Sequence, residues 1–372
     1  MDIDKIETPV YILEEKKLEK NLQLLASIEK RSGAKILLAL KGFAFSGAMD
    51  MVSNYLSGCC ASGLYEARYA KEMVGKEVHT FSPAFKESEF SEIVELSNHI
   101  VFNSFGQWQK FKDLVVGKIS CGLRVNPEVS ASPTDMYNPC AKYSRLGITQ
   151  KEFRPDLLDG IEGLHFHALC EQGADALEKV IIGFEDKFGE YIYDMKWINF
   201  GGGHHITKEG YDVDKLIYLI KNFRQKYDVD VYLEPGEAVG WQTGVLVSSV
   251  LDIVHNEIDI AILDTSAEAH MPDTILMPYR ADVRGATFAG QKEYTYRLTG
   301  NTCLAGDIMG DYSFDRALKV GDLVIFEDQI HYTIVKNTTF NGIKLPNLAI
   351  LKKDGTIKMV KNFGYNEYKN RN

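Results

Sequence analysis

Between residues 35 and 236 the chain repeats one unit. A short apolar run stops at Gly, Pro, Asn or Lys, and a longer stretch with helical spacing follows. The runs are "KILLAL", "GCCAS", "EVHTFSP", "HIVFNS", "SCGLRVNP", "IEGLHFHA", "MKWINFGGG" and "DVYLEPG"; helical stretches such as "GLYEARYAKEMV", "FGQWQKFKDLV" and "VDKLIYLIKNFRQKY" lie between them. Nearly unbroken apolar runs belong to strands covered on both faces. About eight of them with interposed helices predict an α/β fold of the (β/α)₈ barrel type. A doubly wound open sheet is the alternative, but no GxGxxG follows the first strand. From about residue 240 the texture changes to "GVLVSSVLDIVHNEIDIAILDTS", "KEYTYRLTG", "GDLVIFEDQIHYTIV" and "LAILKKDGTIKMV", with short turns such as Asp354-Gly355. This predicts a separate all-β domain.

The 372 residues leave room for both domains. No apolar run approaches the ~20 residues that span a bilayer, and "MDIDKIETP" lacks the order of a signal peptide. Six cysteines without a CxxC pair suit the reduced thiols of a cytoplasm better than a disulfide framework. A net charge of −10 argues against a nucleic-acid partner and is compatible with a cationic ligand.

In such a barrel the chemistry gathers at the C-terminal ends of the strands. Lys41 ends the first, in "KILLALKGFAF". It is either a lysine whose head reaches water or a desolvated amine primed to form a Schiff base. Arg124 and Asn126 end "GLRVNP"; His165 and His167, two apart, are expected on one side of a strand. They read as core histidines or as a metal-binding pair, and the latter wants further ligands that only His204 and His205 offer. Gly201, Gly202 and Gly203 form a plain turn or a cradle of N–H groups for a phosphate. Glu234, ending "DVYLEPG", is a turn carboxylate or a buried acid in need of a partner. A phosphate cradle, a carboxylate, a flat imidazole and a lysine together suit pyridoxal phosphate, which needs an amine for its aldehyde and an acid for its ring nitrogen.

Several motifs in one order carry a more specific resemblance: "TPVYI", "LALK", "RVNP", "SRLGI", "GLHFHA", "NFGGG", "LEPGE", "GNTCLAGD" and "HYTIV". The chain resembles the fold-type III pyridoxal-phosphate decarboxylases, the alanine-racemase-like group with ornithine and diaminopimelate decarboxylases. "LALKGFAF", "HMPDTILMPYR" and "TFNG" resemble its polyamine branch, whose substrates are carboxylated triamines. The resemblance implies a barrel over residues 30–242, and a β-rich domain from residues 1–29 and 243–372 that contributes to a dimer interface. It implies that Lys41 is the Schiff-base lysine, that His167 stacks on the ring, that Gly201 to Gly203 hold the phosphate and that Glu234 pairs with the ring nitrogen. Cys303 and Asp307 match a segment that reaches the other subunit's active site, and Tyr332 matches a tyrosine that contacts the cofactor. A homodimer with shared sites follows.

Relatives often carry Glu-Pro-Gly-Arg, whose arginine contacts the phosphate, whereas position 237 here is Glu. A carboxylate there is repelled by a phosphate and suits a substrate amine. Asp273 is a second candidate for an amine, and Arg280 for the substrate carboxylate; the plain alternative for both is a loop salt bridge. The implied reaction is decarboxylation of a carboxylated triamine, with Cys303 of the partner subunit returning the proton. A diaminopimelate or basic amino-acid decarboxylase of the same fold is the nearest rival. An amino-acid racemase and a metal-dependent barrel hydrolase stand further off.

Overall fold

The computed structural model describes residues 6–130, 132 and 135–372. Residues 1–5, on which part of the N-terminal reading falls, lie outside the described residues. The chain divides into two compact units, one of Asn21–Gly42 and Ala48–Val239, the other of the N-terminal residues to Lys20, Phe43–Gly47 and Gly240–Asn372. The first division falls within a single helix, Glu15–Ser32, which carries no compositional break at residues 29–30. The Phe43–Gly47 stretch groups with the second unit because its backbone is pressed against that unit: a Cβ on Gly47 would crowd Ile350 and Val360.

Strand β1 (Val10–Glu14) and helix α1 (Glu15–Ser32) precede the barrel. Its strands are β2 (Lys35–Ala39), β3 (Gly58–Ala61), β4 (Glu77–Phe81), β5 (His99–Phe102), β6 (Ser120–Arg124), β7 (Gly163–His165), β8 (Trp197–Asn199) and β9 (Asp230–Leu233). Each pairs in parallel with the next, and β2 with β9 closes the ring, Ile36 opposite Leu233. The expected eight strands thus form a closed (β/α)₈-type barrel.

The helices between them are amphipathic for legible reasons. In the helix Val213–Tyr227, the Asp212 side chain accepts from the Lys215 N–H at 2.8 Å, and Leu216, Ile220 and Phe223 are buried. An N-cap carboxylate satisfies one of the orphan donors of the first turn. Among the described residues, one crossover has no α-helix. Between β6 and β7 the chain runs through irregular turns and short 3₁₀ segments, in a stretch whose Pro127 and Pro139 disfavour a helix.

Inside the barrel, Leu37, Val101, Trp197 and Tyr232 form a buried cluster with Phe81 against it. The Trp197 indole occupies the space that side chains on Gly122 and Gly163 would need, and its Nε1–H donates to Ser120 Oγ at 2.9 Å. At the strand starts, His79 stacks on His99 with centroids 3.9 Å apart, and His99 lies 4.8 Å from Trp197. Glu77 reaches His79 Nε2 at 3.3 Å and Lys35 Nζ at 2.5 Å. Burial, reinforced by His79, pushes His99 from 6.5 down to about 3.

This has a pH consequence. The unfolded imidazole takes a proton near pH 6.5 and the folded one only near 3, so stability is full above 6.5 and falls as pH drops between those values. We expect His99→Phe, which keeps a stacked ring and removes the proton, to flatten the decline in urea midpoint between pH 6.5 and 4. The relief should be about 1.4 kcal/mol per pH unit where the slope is steepest. Parallel declines in wild type and variant would show that His99 is not the titrating group.

The second unit is the expected β-rich domain, built on one sheet of mixed strand direction. To β1 it adds β10 (Gly244–Asn256), β11 (Ile258–Leu263), β12 (Thr287–Phe288), β13 (Tyr294–Thr299), β14 (Ile308–Phe314), β15 (Leu323–Glu327), β16 (Asn347–Leu351) and β17 (Ile357–Lys361). Their order is β12-β14-β13-β11-β10-β1-β16-β17, with β15 also on β10. β1 pairs antiparallel with β10 and parallel with β16, so the N-terminal segment is integral to this sheet. "HYTIV" is not strand: Thr333–Lys336 is a 3₁₀ turn entered through Tyr332 at φ 42°. The helical turns Ala267–His270, Asp273–Leu276 and Tyr365–Arg371 also belong to this unit. Among the described residues, no helix is long and apolar enough to cross a membrane.

Candidate active site

The C-terminal ends of the barrel strands carry one connected polar network. Glu234, just past β9, has only 11% of its side chain exposed. Its Oε2 lies 3.2 Å from His165 Nε2, and its Oε1 accepts from Asn199 Nδ2 at 2.7 Å. Burial alone would raise this carboxyl, but His165 and the Asn199 hydrogen bond hold it at about 2. Glu234 is therefore an ionised carboxylate in a mostly apolar setting, and its partners are those a buried charge requires. His165 itself is pushed down by burial, against the pull of Glu234. It donates Nε2–H to the carboxylate and stacks at 5.7 Å on Phe81.

Asn199 ends β8 fully buried, and its Oδ1 accepts the Gly201 N–H at 2.8 Å. The Gly202 N–H donates to His167 Nδ1 at 2.8 Å. That nitrogen is therefore unprotonated and the ring's proton is on Nε2. Burial, with the positive charges of Lys41 and Arg124 next, keeps His167 well below 6.5, so it is a neutral, flat imidazole at the mouth. Strand β7 ends at His165, and His167 lies beyond it; the two histidines face separate partners rather than forming a pair.

Gly201 and Gly203 have φ of 68° and 83°, a region L-residues rarely adopt. A Cβ on Gly201 would overlap Phe166 O, one on Gly202 would crowd Glu234 O and His167 Cε1, and one on Gly203 would overlap Leu169 O. The loop thus requires all three glycines and leaves a backbone-lined cradle beside the imidazole and above the carboxylate.

Lys41 follows β2 in a turn closed by Gly42 N–H to Ala39 O at 3.0 Å. The Ala39 N–H donates to Pro235 O at 3.0 Å, and a Cβ on Gly42 would stand 3.0 Å from Gly236 Cα. This close approach joins the lysine turn to the turn carrying Glu234 and Glu237. Lys41 is exposed, which agrees with the reading of a head that reaches water rather than that of a desolvated amine. At a strand end its four-carbon stem carries the ammonium clear of the core. It remains within electrostatic reach of His165 and His167.

Arg124 is a buried cation that the strand-end reading located without assigning it a role. It is pushed down to about 10 by burial and remains charged, lies 4.6 Å over the Phe81 ring, and donates to His167 O at 3.3 Å. His165 and Asn199 were likewise not read as parts of this network. Asn199 in "WINF" is the one polar residue at the end of an apolar run, which is the signal that could have found it. Among the described residues, no three His, Cys, Asp or Glu side chains gather as a metal-binding group.

The remaining candidates lie in the sheet unit. Asp307 is 3% exposed and fully engaged: Oδ1 accepts the Ala267 N–H at 2.6 Å, and Oδ2 the Thr302 hydroxyl at 2.6 Å and N–H at 3.3 Å. It ties the 300–307 loop to the helical turn Ala267–His270. Cys303 stands exposed on that loop, its N–H donating to Asn341 Oδ1 at 2.7 Å. Arg280 is sandwiched 3.9 Å from the Tyr312 ring and 4.6 Å from the Phe288 ring, and donates to Thr287 O at 2.7 Å and Asp311 O at 3.3 Å. Its fork is committed to holding strands rather than open for a carboxylate. Asp273 accepts from Lys336 Nζ at 2.7 and 2.8 Å, and that Nζ lies 5.3 Å from the Tyr332 ring. The loop salt bridge is thus real for Asp273, with Lys336 as the partner, and Arg280 Nη1 stands 3.8 Å from Asp282 Oδ1.

Residues 46–329 match the family model described as pyridoxal-dependent decarboxylase, C-terminal sheet domain. The fold and the barrel-end network agree with that class. A carboxynorspermidine/carboxyspermidine decarboxylase of Campylobacter jejuni is 61% identical over 383 aligned residues, covering 100% of both chains; within the class, the chain belongs to the carboxynorspermidine/carboxyspermidine decarboxylase family. A carboxyaminopropylagmatine decarboxylase of Synechocystis is 43% identical over 99% of this chain and 96% of its own. A crystal structure of the Campylobacter jejuni carboxynorspermidine decarboxylase complexed with norspermidine superposes with a TM-score of 0.94 at 60% identity, covering 99% of this chain and 100% of that one.

Proposed function

We propose that this chain decarboxylates carboxynorspermidine and carboxyspermidine to norspermidine and spermidine, using pyridoxal phosphate, in the cytoplasm. The observation that carries the reading is the ionised Glu234 beside a side-chain-free glycine loop, with Lys41 on the adjoining turn. The residues fit that cofactor. Lys41 would hold its aldehyde, His167 would cover one ring face, the N–H groups of Gly201 to Gly203 would take the phosphate, and Tyr332 would add a contact. When bound, pyridoxal phosphate supplies an electron sink for the electrons of the bond that breaks as carbon dioxide leaves. Glu234 keeps a proton on the ring nitrogen, which makes that sink effective. Glu237 attracts the cationic tail of the substrate. Asp273 would offer a carboxylate to an amine only by releasing Lys336.

The site is read as shared in a homodimer, with Cys303 of the partner subunit placing a proton on the carbon that lost its carboxylate. An exposed thiol on a loop braced by a buried carboxylate supports this role.

The test is an absorbance titration of the apoprotein with pyridoxal phosphate, followed by carboxynorspermidine, carboxyspermidine, carboxyaminopropylagmatine and diaminopimelate in parallel. We expect a visible band that shifts with the triamines, with carbon dioxide released. A band that responds only to diaminopimelate would overturn the substrate and keep the cofactor. No band would overturn the cofactor reading.

A further inference from the structure

The two ends of the cradle are not independent, because a single buried side chain joins them. Asn199 is 0% exposed. Its Nδ2 donates to Glu234 Oε1 at 2.7 Å, and its Oδ1 accepts the Gly201 N–H at 2.8 Å. The amide orientation is fixed by chemistry, since a carboxylate only accepts and a backbone N–H only donates. The opposite carboxylate oxygen faces His165 Nε2 at 3.2 Å. Glu234 is thereby fixed through both oxygens, and the first residue of the glycine loop is fixed through the same amide.

We propose that Asn199 is a positioning residue which locks the carboxylate facing the cofactor ring to the loop facing its phosphate, so that one amide sets the spacing of the two recognition points. The inference rests on the pyridoxal-phosphate reading above. Its geometry is rigid: the residue ends a barrel strand, with Ile198 and Phe200 on either side fully buried, so the amide has nowhere else to point. Loss of a hydrogen bond to a charged group in such a setting is costly. Preorganised contacts held this way yield affinity because ordering is done before the ligand arrives.

The readout is cofactor affinity of the apoprotein, by absorbance titration, with thermal melts of the apo forms as the folding control. We expect Asn199→Ala to weaken pyridoxal phosphate binding about tenfold to a hundredfold. In a Glu234→Ala background the same change should cost markedly less, because the two residues act as a unit. The isosteric Asn199→Asp keeps the volume and sets two carboxylates face to face. A shared proton relieves them, so its affinity relative to wild type should improve as pH falls from 8 to 6, a signature that mere packing does not produce. Affinities within twofold of wild type, or an Asn199→Asp to wild-type ratio that stays flat with pH, would overturn the proposal while leaving the cofactor reading in place. A wild-type protein that forms no visible band would remove both.

Discussion

Lys41→Ala is expected to fold normally and to lose decarboxylation by about a thousandfold or more, the scale on which removing a group that reacts covalently is felt. The two halves of that expectation have separate causes. Lys41 is exposed in the turn after β2, and truncating an exposed side chain away from caps and cores moves stability by about 0.5 kcal/mol or less. The turn itself is held by backbone, through Gly42 N–H to Ala39 O and Ala39 N–H to Pro235 O, so the variant keeps the geometry around Glu234 and His167. What disappears is the primary amine itself. Lys41→Arg sharpens the point, since a guanidinium keeps the charge and cannot lose its proton at working pH; it should be as inactive as the alanine variant. A small primary amine added to Lys41→Ala should restore measurable turnover, and none to the arginine variant. Mixing Lys41→Ala with Cys303→Ala subunits tests the shared site as well. Random pairing of two such chains leaves one intact site in each mixed dimer and returns about a quarter of the activity. Turnover of Lys41→Ala within tenfold of wild type would remove the lysine from its role.

The barrel was legible because its signal is local. Each strand is a short apolar run ended by a residue that cannot continue it, and strand ends are where barrel chemistry gathers, so position alone picks out Lys41, Arg124, Asn126, His165, His167, the three glycines and Glu234 as candidates. The relations among them were not legible. That His165 serves Glu234 depends on a contact across 69 residues, and that Asn199 joins Glu234 to the loop depends on which way one amide points. The sheet unit was read less well for the same reason. For Asp273 an amine ligand and a loop salt bridge both stay open in the sequence, because its partner Lys336 is 63 residues away. Arg280 looked like an open fork because the rings of Tyr312 and Phe288 that enclose it come from elements on which its own segment gives no information. Asp307 carries a family motif, but the motif does not say that one oxygen is spent on Thr302 in its own loop and the other on the Ala267 N–H, 40 residues away. Charged residues advertise a chemistry, and only their distant neighbours decide whether it is available.

Glu234→Gln isolates charge from shape at the floor of the site. The amide matches the carboxylate in volume and can re-form both contacts: its oxygen accepts from Asn199 Nδ2, and its NH₂ donates to His165 once that ring moves its proton to Nδ1. The glycine loop should therefore stay in place, and cofactor affinity should fall much less than in Asn199→Ala. The catalytic effect should be large, because on the proposed reading the carboxylate, depressed to about 2, would hold a proton on the ring nitrogen. Losing one preorganised electrostatic contact in a water-poor site costs about a hundredfold to a thousandfold in turnover. The pH profile separates this from a general loss of fit. With Glu234 present the protonation of that nitrogen would be insensitive to pH across the neutral range. With Gln it depends on solution acidity, so the variant's turnover should rise relative to wild type as pH is lowered from 8 toward 6. The stability sign is opposite in origin: a carboxyl depressed from 4.5 to about 2 stabilises the fold above 4.5 and loses that contribution as pH falls toward 2, so the wild-type advantage in urea midpoint should vanish in strong acid. A Glu234→Gln enzyme with near wild-type turnover and an unchanged pH profile would mean that the ring nitrogen takes its proton from another group. Arg124, the other buried charge of the barrel mouth, would not qualify, because a guanidinium repels a protonated ring.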